Sequence, residues 1–332
     1  MENELKRKFD IEVVPFEGDW RGRDLSDLDL SGLSLEQLSL IDFNTETIWP
    51  EASKLPPDFT PEMILENGKN PGLGVRELQR EGIDGRGVNV AIIDQKLFLD
   101  HEEYRDQLVD YQETALVSYG PEMHGAAVAS LLAGKECGVA PAVELHYQMV
   151  PSGRDFNYWA QAIDNIIAMN RQLPAEEKIR IISCSIGFEE GSDEKGIERA
   201  IESLKMALES GIIVIHTTMQ DLPFSGCGSL MHKDDLEKYQ PWLEEIDVEP
   251  DTICIPSDYR TFASLVTSNS YEYNAKGGLS WSVPYLSGLF ALALQINPQL
   301  NRLQLIENLK AVSFINNNGI RIIRPKEFIK SI

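Results

Sequence analysis

Four short apolar runs rich in β-branched residues most constrain the fold: GVNVAIID (87–94), VELHYQMV (143–150), IRIISCSIG (179–187) and GIIVIHTT (211–218). Runs of this kind are typical of strands buried on both faces. Helical patterns separate or follow them, at 123–134, 156–172, 193–210, about 282–296 and 302–312. Strands that alternate with helices favour a parallel sheet covered on both sides. The sequence therefore predicts an α/β fold, a three-layer αβα arrangement around a mostly parallel sheet.

The N-terminal part has a different period. One series of apolar residues recurs every five positions at Leu25, Leu30, Leu35 and Leu40, and a second at Leu28, Leu33, Leu38, Phe43 and Ile48. A period of five fits neither a helix nor a strand, and it resembles the pentapeptide-repeat proteins, whose chains form a right-handed β-helix. The run amounts to little more than one turn of such a coil, so we expect it to pack on the main domain or on a partner. An irregular leucine-rich loop is the alternative.

These patterns predict a small extension at 1–70, including a Pro- and Asn-rich linker or wrapping arm from Trp49, and a main domain at 71–332.

The start of the chain has no apolar run of signal-peptide length, and the run 288–296 is too short to span a bilayer. The formal net charge of -23 would repel nucleic acids and anionic membranes, so neither is expected as a partner. Cys137, Cys184, Cys227 and Cys254 show no metal-ligand or paired spacing, which predicts reduced thiols in the cytoplasm and no metal.

Three polar residues stand at positions where chemistry is common. Asp94 ends the first strand, His124 precedes a run of small residues, and Ser280 begins the last apolar helix. Taken singly, residues in these positions are more often structural: Asp94 and Ser280 as caps, and His124 in helix packing. Together they supply what nucleophilic catalysis needs: a weak hydroxyl nucleophile, a base that titrates near neutral pH, and a carboxylate that orients the base.

The local contexts resemble the subtilisin-like serine proteases (subtilases). GRGVNVAIIDQKLFLDHEEY resembles the family's aspartate motif, MHGAAVASLLAGKECGVAP its histidine motif, and GGLSWSVPYLSGLFALALQINP its serine motif, in the family's order. The resemblance extends from about Gly74 to the final helices. It implies a serine endopeptidase that acts on peptides or proteins through an acyl-enzyme intermediate, without a cofactor.

The resemblance also assigns roles to residues. Asp94 would orient the base, His124 would be the general base and Ser280 the nucleophile. The segment Ser185, Ile186, Gly187 would pair with the substrate backbone as an added strand. His101 matches a second family histidine and is expected to be structural. The short link AGKECGVAP lacks the family's calcium-binding loop, so no calcium site is predicted. The N-terminal segment does not resemble the family's propeptide, and we expect it to remain attached and to serve in substrate access or assembly, including homo-oligomerisation.

The sequence departs from the family pattern at the oxyanion hole and beside the nucleophile. A gap-free alignment puts Gln220 where the family has its oxyanion asparagine, so Gln220 is the candidate side-chain donor; a polar cap at the strand end is the alternative. Trp281 is larger than the family's residue and is expected to narrow the space behind the serine. These departures leave two alternatives to a protease: a pseudoprotease that binds peptides or regulates, and an unrelated α/β enzyme with the three residues in this order by chance.

Overall fold

The computed structural model describes residues 18–241 and 251–332. Its strands are β1 Phe43–Asn44, β2 Asn89–Asp94, β3 Leu108–Glu113, β4 Glu144–Met149, β5 Ile179–Cys184, β6 Ile213–His216, β7 Phe224–Cys227, β8 Ile253–Pro256, β9 Arg260–Ala263, β10 Tyr271–Asn274, β11 Phe314–Ile315 and β12 Arg321–Ile322. Its α-helices are α1 Leu35–Leu38, α2 Pro61–Lys69, α3 Val75–Arg80, α4 Met123–Ala133, α5 Phe156–Gln172, α6 Ile197–Glu209, α7 Leu279–Ile296, α8 Arg302–Val312 and α9 Pro325–Lys330.

A five-stranded sheet forms the centre, in the order β3-β4-β2-β5-β6. Every neighbouring pair in it is parallel. The mostly parallel sheet predicted from the sequence is therefore confirmed, with strand ends displaced by at most three residues. The edge strand β3 escapes the sequence analysis because its side chains are only partly buried, so LVDYQE lacks a continuous apolar run.

Successive residues of β2 supply both faces of this sheet. Val90 and Ile92 pack into a cluster with α4 and α7, whereas Ala91 and Ile93 pack into a second cluster with α5 and α6. A strand buried on both faces needs apolar side chains at every position, which accounts for the unbroken run of the sequence. The result is three layers, with the carboxyl ends of the parallel strands left open at one edge.

Smaller sheets occupy the region that looks irregular in the sequence. Strands β7 and β8 pair in parallel, and β12 and β11 extend that sheet, while β9 and β10 form an antiparallel ribbon. Helix α7 then runs through the core. Of the described helices it alone is long and apolar enough to cross a membrane, and 78% of that window is buried inside the fold.

The leucine-rich segment forms a short coil that packs on the main domain. Its chain turns at five-residue intervals, with N–H groups of residues 23, 28 and 33 donating to the carbonyls of residues 20, 25 and 30. Trp20, Leu25 and Phe43 are buried in a cluster shared with the tyrosines of β10. The segment was expected to pack on the main domain or on a partner, and in the structure it packs on the main domain. Residues 1–17 of the predicted extension lie outside the described residues. The prediction that the chain starts without a signal peptide rests mostly on these residues.

The following arm is more than a linker, because it contains α2. This helix lies against β9 so closely that a Cβ atom at Gly68 would fall 2.3 Å from Thr261 Oγ1. Strand β1 adds a third strand to the ribbon, with Phe43 opposite Tyr273 in antiparallel register. The extension thereby reaches β10, the strand that leads into α7.

Candidate active site

Asp94 and His124 lie together at the carboxyl edge of the central sheet. Asp94 is the last residue of β2, and His124 is the second residue of α4, whose small side chains let it pack closely against the sheet. Their atoms Oδ1 and Nδ1 are 2.7 Å apart. An ionised carboxylate only accepts hydrogen bonds, so Nδ1 carries the proton and Nε2 is left able to accept one. Such a pair is a base held in one tautomer.

The surroundings tune this base. Burial by itself would lower the pKa of His124, but the charge of Asp94 and its hydrogen bond, aided by Glu122, raise the pKa above its usual value of 6.5. The Asp94 side chain is 3% exposed and that of His124 25%. The carboxylate is thus shielded while the imidazole still reaches the surface, as proton transfer to a substrate requires.

Ser280 stands at the start of α7, and two features of the sequence set its backbone. Gly278 precedes the helix with φ of 66° and ψ of -172°, a conformation that favours glycine. Pro284 lacks the N–H that would normally donate to the carbonyl of Ser280 four residues earlier. The hydroxyl of Ser185 supplies the missing donor, at 2.8 Å from the Ser280 carbonyl oxygen. This bond ties the nucleophile candidate to the end of β5.

Trp281 connects Ser280 to His124. Its ring centroid lies 5.3 Å from that of His124 and 5.2 Å from that of Phe262, and the side chain is 4% exposed. In the described part of the chain no hydrogen bond joins the Ser280 hydroxyl to His124. Catalytic hydrogen bonds are often loose without substrate and tighten in the complex.

The segment Ser185–Gly187 has the hydrogen-bonding pattern of an edge strand. The Ile186 carbonyl accepts the N–H of Thr217 at 3.0 Å, so this residue faces the protein. Among the described residues, the carbonyl of Ser185 and both main-chain groups of Gly187 have no such partner. A side chain at Gly187 would begin 2.7 Å from a methyl carbon of Thr218, so any larger residue would require the Thr218 side chain to move.

A cavity of about 210 Å³ joins this edge to the base. Its lining includes Asp94, His124, Trp159, Ser185 and Ile186. The turn at 150–154 forms one wall, and Ser152 in that turn is bonded through its hydroxyl to Glu122 and through its N–H to the Tyr119 hydroxyl at 2.9 Å. Four of the site residues assigned from the sequence therefore line this one cavity: Asp94, His124, Ser185 and Ile186.

Gln220 lies apart from this cavity. Its side chain is exposed, and Nε2 donates to the carbonyl of Thr218 in its own loop at 3.4 Å. It lines a different cavity of about 750 Å³, together with Phe188, His216 and the Asp221–Arg302 ion pair. Its role at the oxyanion hole stays a prediction that requires the loop to turn towards Ser280.

Other titratable residues have structural surroundings. His101 is fully buried, and its Nε2 lies 2.8 Å from the carbonyl oxygen of Ser270. Cys137, Cys184, Cys227 and Cys254 are all buried free thiols. Within residues 18–241 and 251–332, no three His, Cys, Asp or Glu side chains cluster in a way that could hold a metal ion.

Two carboxylates near Ser280 escape the sequence analysis. Asp42 and Asp258 bond to the loop between β10 and α7, the first through Ala275 and the second through Gly277. Neither belongs to a recognisable motif. The only signal was the position of Asp42 between the buried residues Ile41 and Phe43.

Comparison with known proteins finds a family match for part of the chain. Residues 85–218 match the sequence model of the peptidase S8, or subtilase, family. That range contains Asp94 and His124 and ends before Ser280. The major intracellular serine protease of Bacillus subtilis (strain 168) is 23% identical over 273 residues, which cover 72% of this chain and 79% of that protein.

Solved structures give the same fold. Fervidolysin from Fervidobacterium pennivorans, a keratinolytic enzyme related to subtilisin, aligns with a TM-score of 0.58 at 14% identity, covering 81% of this chain and 47% of that one. The prenylagaramide maturation protease PagA and the PatG macrocyclase, solved with a peptide, each align with a TM-score of 0.55, at 15% and 13% identity. Each alignment covers 77% of this chain, and 97% of PagA and 94% of PatG. The subtilisin-like fold expected from the sequence is confirmed.

Proposed function

We propose that this subtilisin-like serine protease is an endopeptidase that uses Asp94, His124 and Ser280. The observation that carries the proposal is the 2.7 Å contact between Asp94 and His124 at the open edge of the sheet. The His124 ring also packs on Trp281, the neighbour of Ser280, with centroids 5.3 Å apart, which supports a base close to the start of α7. A carboxylate, a base and a hydroxyl are the groups that acyl transfer needs.

The steps follow from these groups. His124 Nε2 accepts the hydroxyl proton of Ser280 as Oγ bonds to the substrate carbonyl carbon, and Asp94 stabilises the imidazolium that forms. When the carbon–nitrogen bond breaks, His124 returns the proton to the leaving amine and an acyl-enzyme remains. Water activated by His124 then releases the acid and regenerates Ser280.

The oxyanion needs hydrogen-bond donors in place before the attack. The N–H of Ser280, in the first turn of α7, has no acceptor among the described residues and is available for this. Gln220 would be the second donor if its amide leaves the Thr218 carbonyl, to which it is bonded at 3.4 Å. The positive end of the α7 helix dipole adds to the stabilisation.

The substrate backbone would lie along Ser185 and Gly187 as an added strand. The unpaired main-chain groups of these two residues support this, because alternate residues of an edge strand face a pairing chain. Ile186 contributes differently, since its carbonyl is bonded to Thr217 and its side chain lines the cavity.

We further propose that the protein works in the cytoplasm on peptides or proteins, and not on nucleic acids or membranes. The intracellular serine protease of Bacillus subtilis and the four free thiols support the compartment. The net charge of -23 supports the choice of partners. Homo-oligomerisation through the extension stays a proposal, although the coil already buries Trp20, Leu25 and Phe43 against its own domain.

A fluorophosphonate probe, which reacts with activated serines, tests the nucleophile. We expect the wild type to be labelled and Ser280→Ala to be unlabelled, with peptide hydrolysis lower by about 10⁶-fold. Ser282→Ala is a matched control on the same helix, since its buried hydroxyl has no hydrogen-bond partner among the described residues. Labelling of Ser280→Ala, or folded wild type that neither reacts with probes nor cleaves peptides, would overturn the proposal.

A further inference from the structure

The loop that delivers Ser280 is held by carboxylates that come from outside it. This loop, residues 274–278, starts at the last residue of β10 and ends two residues before Ser280. Asp42 Oδ1 accepts the N–H of Ala275 at 2.8 Å, and Asp42 Oδ2 accepts the Asn274 amide at 2.6 Å. At the other end of the loop, Asp258 accepts the N–H of Gly277 at 3.0 Å.

Asn274 lies between Asp42 and Trp281, and its amide can point only one way. The indole N–H of Trp281 can only donate a hydrogen bond. Asn274 therefore turns its carbonyl oxygen to the indole N–H, at 3.3 Å, and its NH₂ group to Asp42 Oδ2, at 2.6 Å. A chain of hydrogen bonds thus runs from the extension to the tryptophan that packs on His124.

Packing makes the position of Asp42 rigid. Its own N–H donates to the carbonyl of Gly18 at 2.9 Å, and its carbonyl accepts the N–H of Trp20 at 2.7 Å. Phe43, the next residue, is fully buried, and its ring lies 5.2 Å from that of Tyr273. The coil therefore presents the carboxylate to the loop from a backbone that is fixed on both sides.

We propose that Asp42 is a positioning residue of the active site, acting through Asn274 and Trp281, and that the N-terminal extension is a permanent part of the catalytic unit. This rests on the proposed roles of His124 and Ser280. Removing the carboxylate frees the Asn274 amide to rotate, and Trp281 then loses its acceptor. The first turn of α7 shifts relative to His124, while the main chain of the substrate edge stays anchored by the bond from the Thr217 N–H to the Ile186 carbonyl.

The variant Asp42→Asn changes the hydrogen bonding at this position without changing the volume of the side chain. Asparagine keeps the shape but has only one acceptor oxygen, so it cannot satisfy both Ala275 and Asn274 unless the Asn274 amide flips away from Trp281. Asn274→Ala breaks the same chain at its middle. Asp27→Asn serves as the control, because Asp27 is exposed on the same coil.

The experiment measures the rate constant of fluorophosphonate labelling, kcat and KM for a peptide substrate, and thermal unfolding. We expect Asp42→Asn to lower the labelling rate and kcat by about 10- to 100-fold, because small misplacements of reacting groups are costly, with KM within about twofold and Asp27→Asn unchanged. Asn274→Ala should lower them similarly, and the double variant should be no worse than either single one, since both act on one chain of contacts.

The outcomes separate this inference from the proposed function. If the folded wild type is not labelled at all, the proposed function fails and the inference with it. If the wild type is labelled but folded Asp42→Asn reacts at the wild-type rate, the inference alone is wrong. Should Asp42→Asn fail to fold, Asn274→Ala decides: a normal labelling rate in that variant overturns the proposal, and a reduced one with unchanged KM upholds it.

Discussion

The two halves of the candidate site are put in place by different means. Asp94 and His124 are 30 residues apart in the chain and meet because a buried strand and the helix packed on it end at the same edge. Ser280 follows a loop whose main bonds reach 232 and 233 residues back, to Asp42. The position of Asp94 and His124 therefore depends on the local core, and the position of Ser280 depends on contacts between distant segments.

The comparison is most sharply tested at Asp94. Asp94→Asn keeps the shape but removes the charge that holds the protonated imidazole and its tautomer, so kcat should fall by about 10⁴-fold. The pH dependence should change as well. In the wild type the pKa of His124 is raised above 6.5 by Asp94, so kcat/KM, which needs the neutral base, rises with pH through a midpoint above 6.5.

In Asp94→Asn only the lowering effect of burial and the smaller effect of Glu122 remain, so the midpoint moves to lower pH. The measurement is kcat/KM between pH 5 and 9 for both proteins. Glu122→Gln is the matched control, since Glu122 also raises the pKa of His124 but without a hydrogen bond; its midpoint should move less. If the midpoint in Asp94→Asn is unshifted, a group other than His124 controls the fall of kcat/KM at low pH.

Sequence patterns capture the first half of the site far better than the second. The start of β2 is predicted to within two residues, and the helix that carries His124, predicted at 123–134, ends one residue earlier in the structure. The burial of these elements is encoded locally, by the unbroken apolar run of β2 and the small side chains of α4. Asp94 and His124 follow from them.

The second half depends on information that a single sequence does not display. Nothing in the five-residue repeat indicates that residue 42 bonds to residue 275, because that contact exists only once β1 pairs with β10. The same holds for the hydroxyl of Ser185, whose bond to the Ser280 carbonyl compensates for the missing N–H of Pro284. The role of Gln220 stays a prediction: a gap-free alignment puts it at the oxyanion hole, and in the structure its amide bonds to the carbonyl of Thr218 in its own loop.

The extension can be tested as part of the fold through Phe43. This side chain is fully buried, with ring contacts of 5.1 Å to Trp49 and 5.2 Å to Tyr273. Phe43→Ala should lower the free energy of unfolding by about 3–5 kcal/mol. Ile48→Ala is the control from the same repeat, because Ile48 is 55% exposed, and it should change stability by less than about 0.5 kcal/mol.

Urea unfolding followed by tryptophan fluorescence and by circular dichroism checks this prediction. If the coil and the main domain fold together, both probes should give one transition that moves as a whole. A separate early transition in Phe43→Ala, with the remainder unfolding as in the wild type, would show that the extension is an independent unit.

The smallest effect is expected at the link between the two halves. Ser185→Ala removes the donor to the Ser280 carbonyl, a bond of 2.8 Å. A hydrogen bond of this kind contributes about 0.5–1.5 kcal/mol, so kcat should fall by about two- to tenfold. The carbonyl of Ser185 that faces the substrate is unaffected, and KM should stay the same.

Ser287→Ala is the matched control, because it removes a bond of the same length to the Val283 carbonyl, within α7 but away from Ser280. Both variants should lose similar stability, and only Ser185→Ala should lose kcat. Equal kcat values for the two variants would show that the Ser185 hydroxyl stabilises the helix start without positioning the nucleophile.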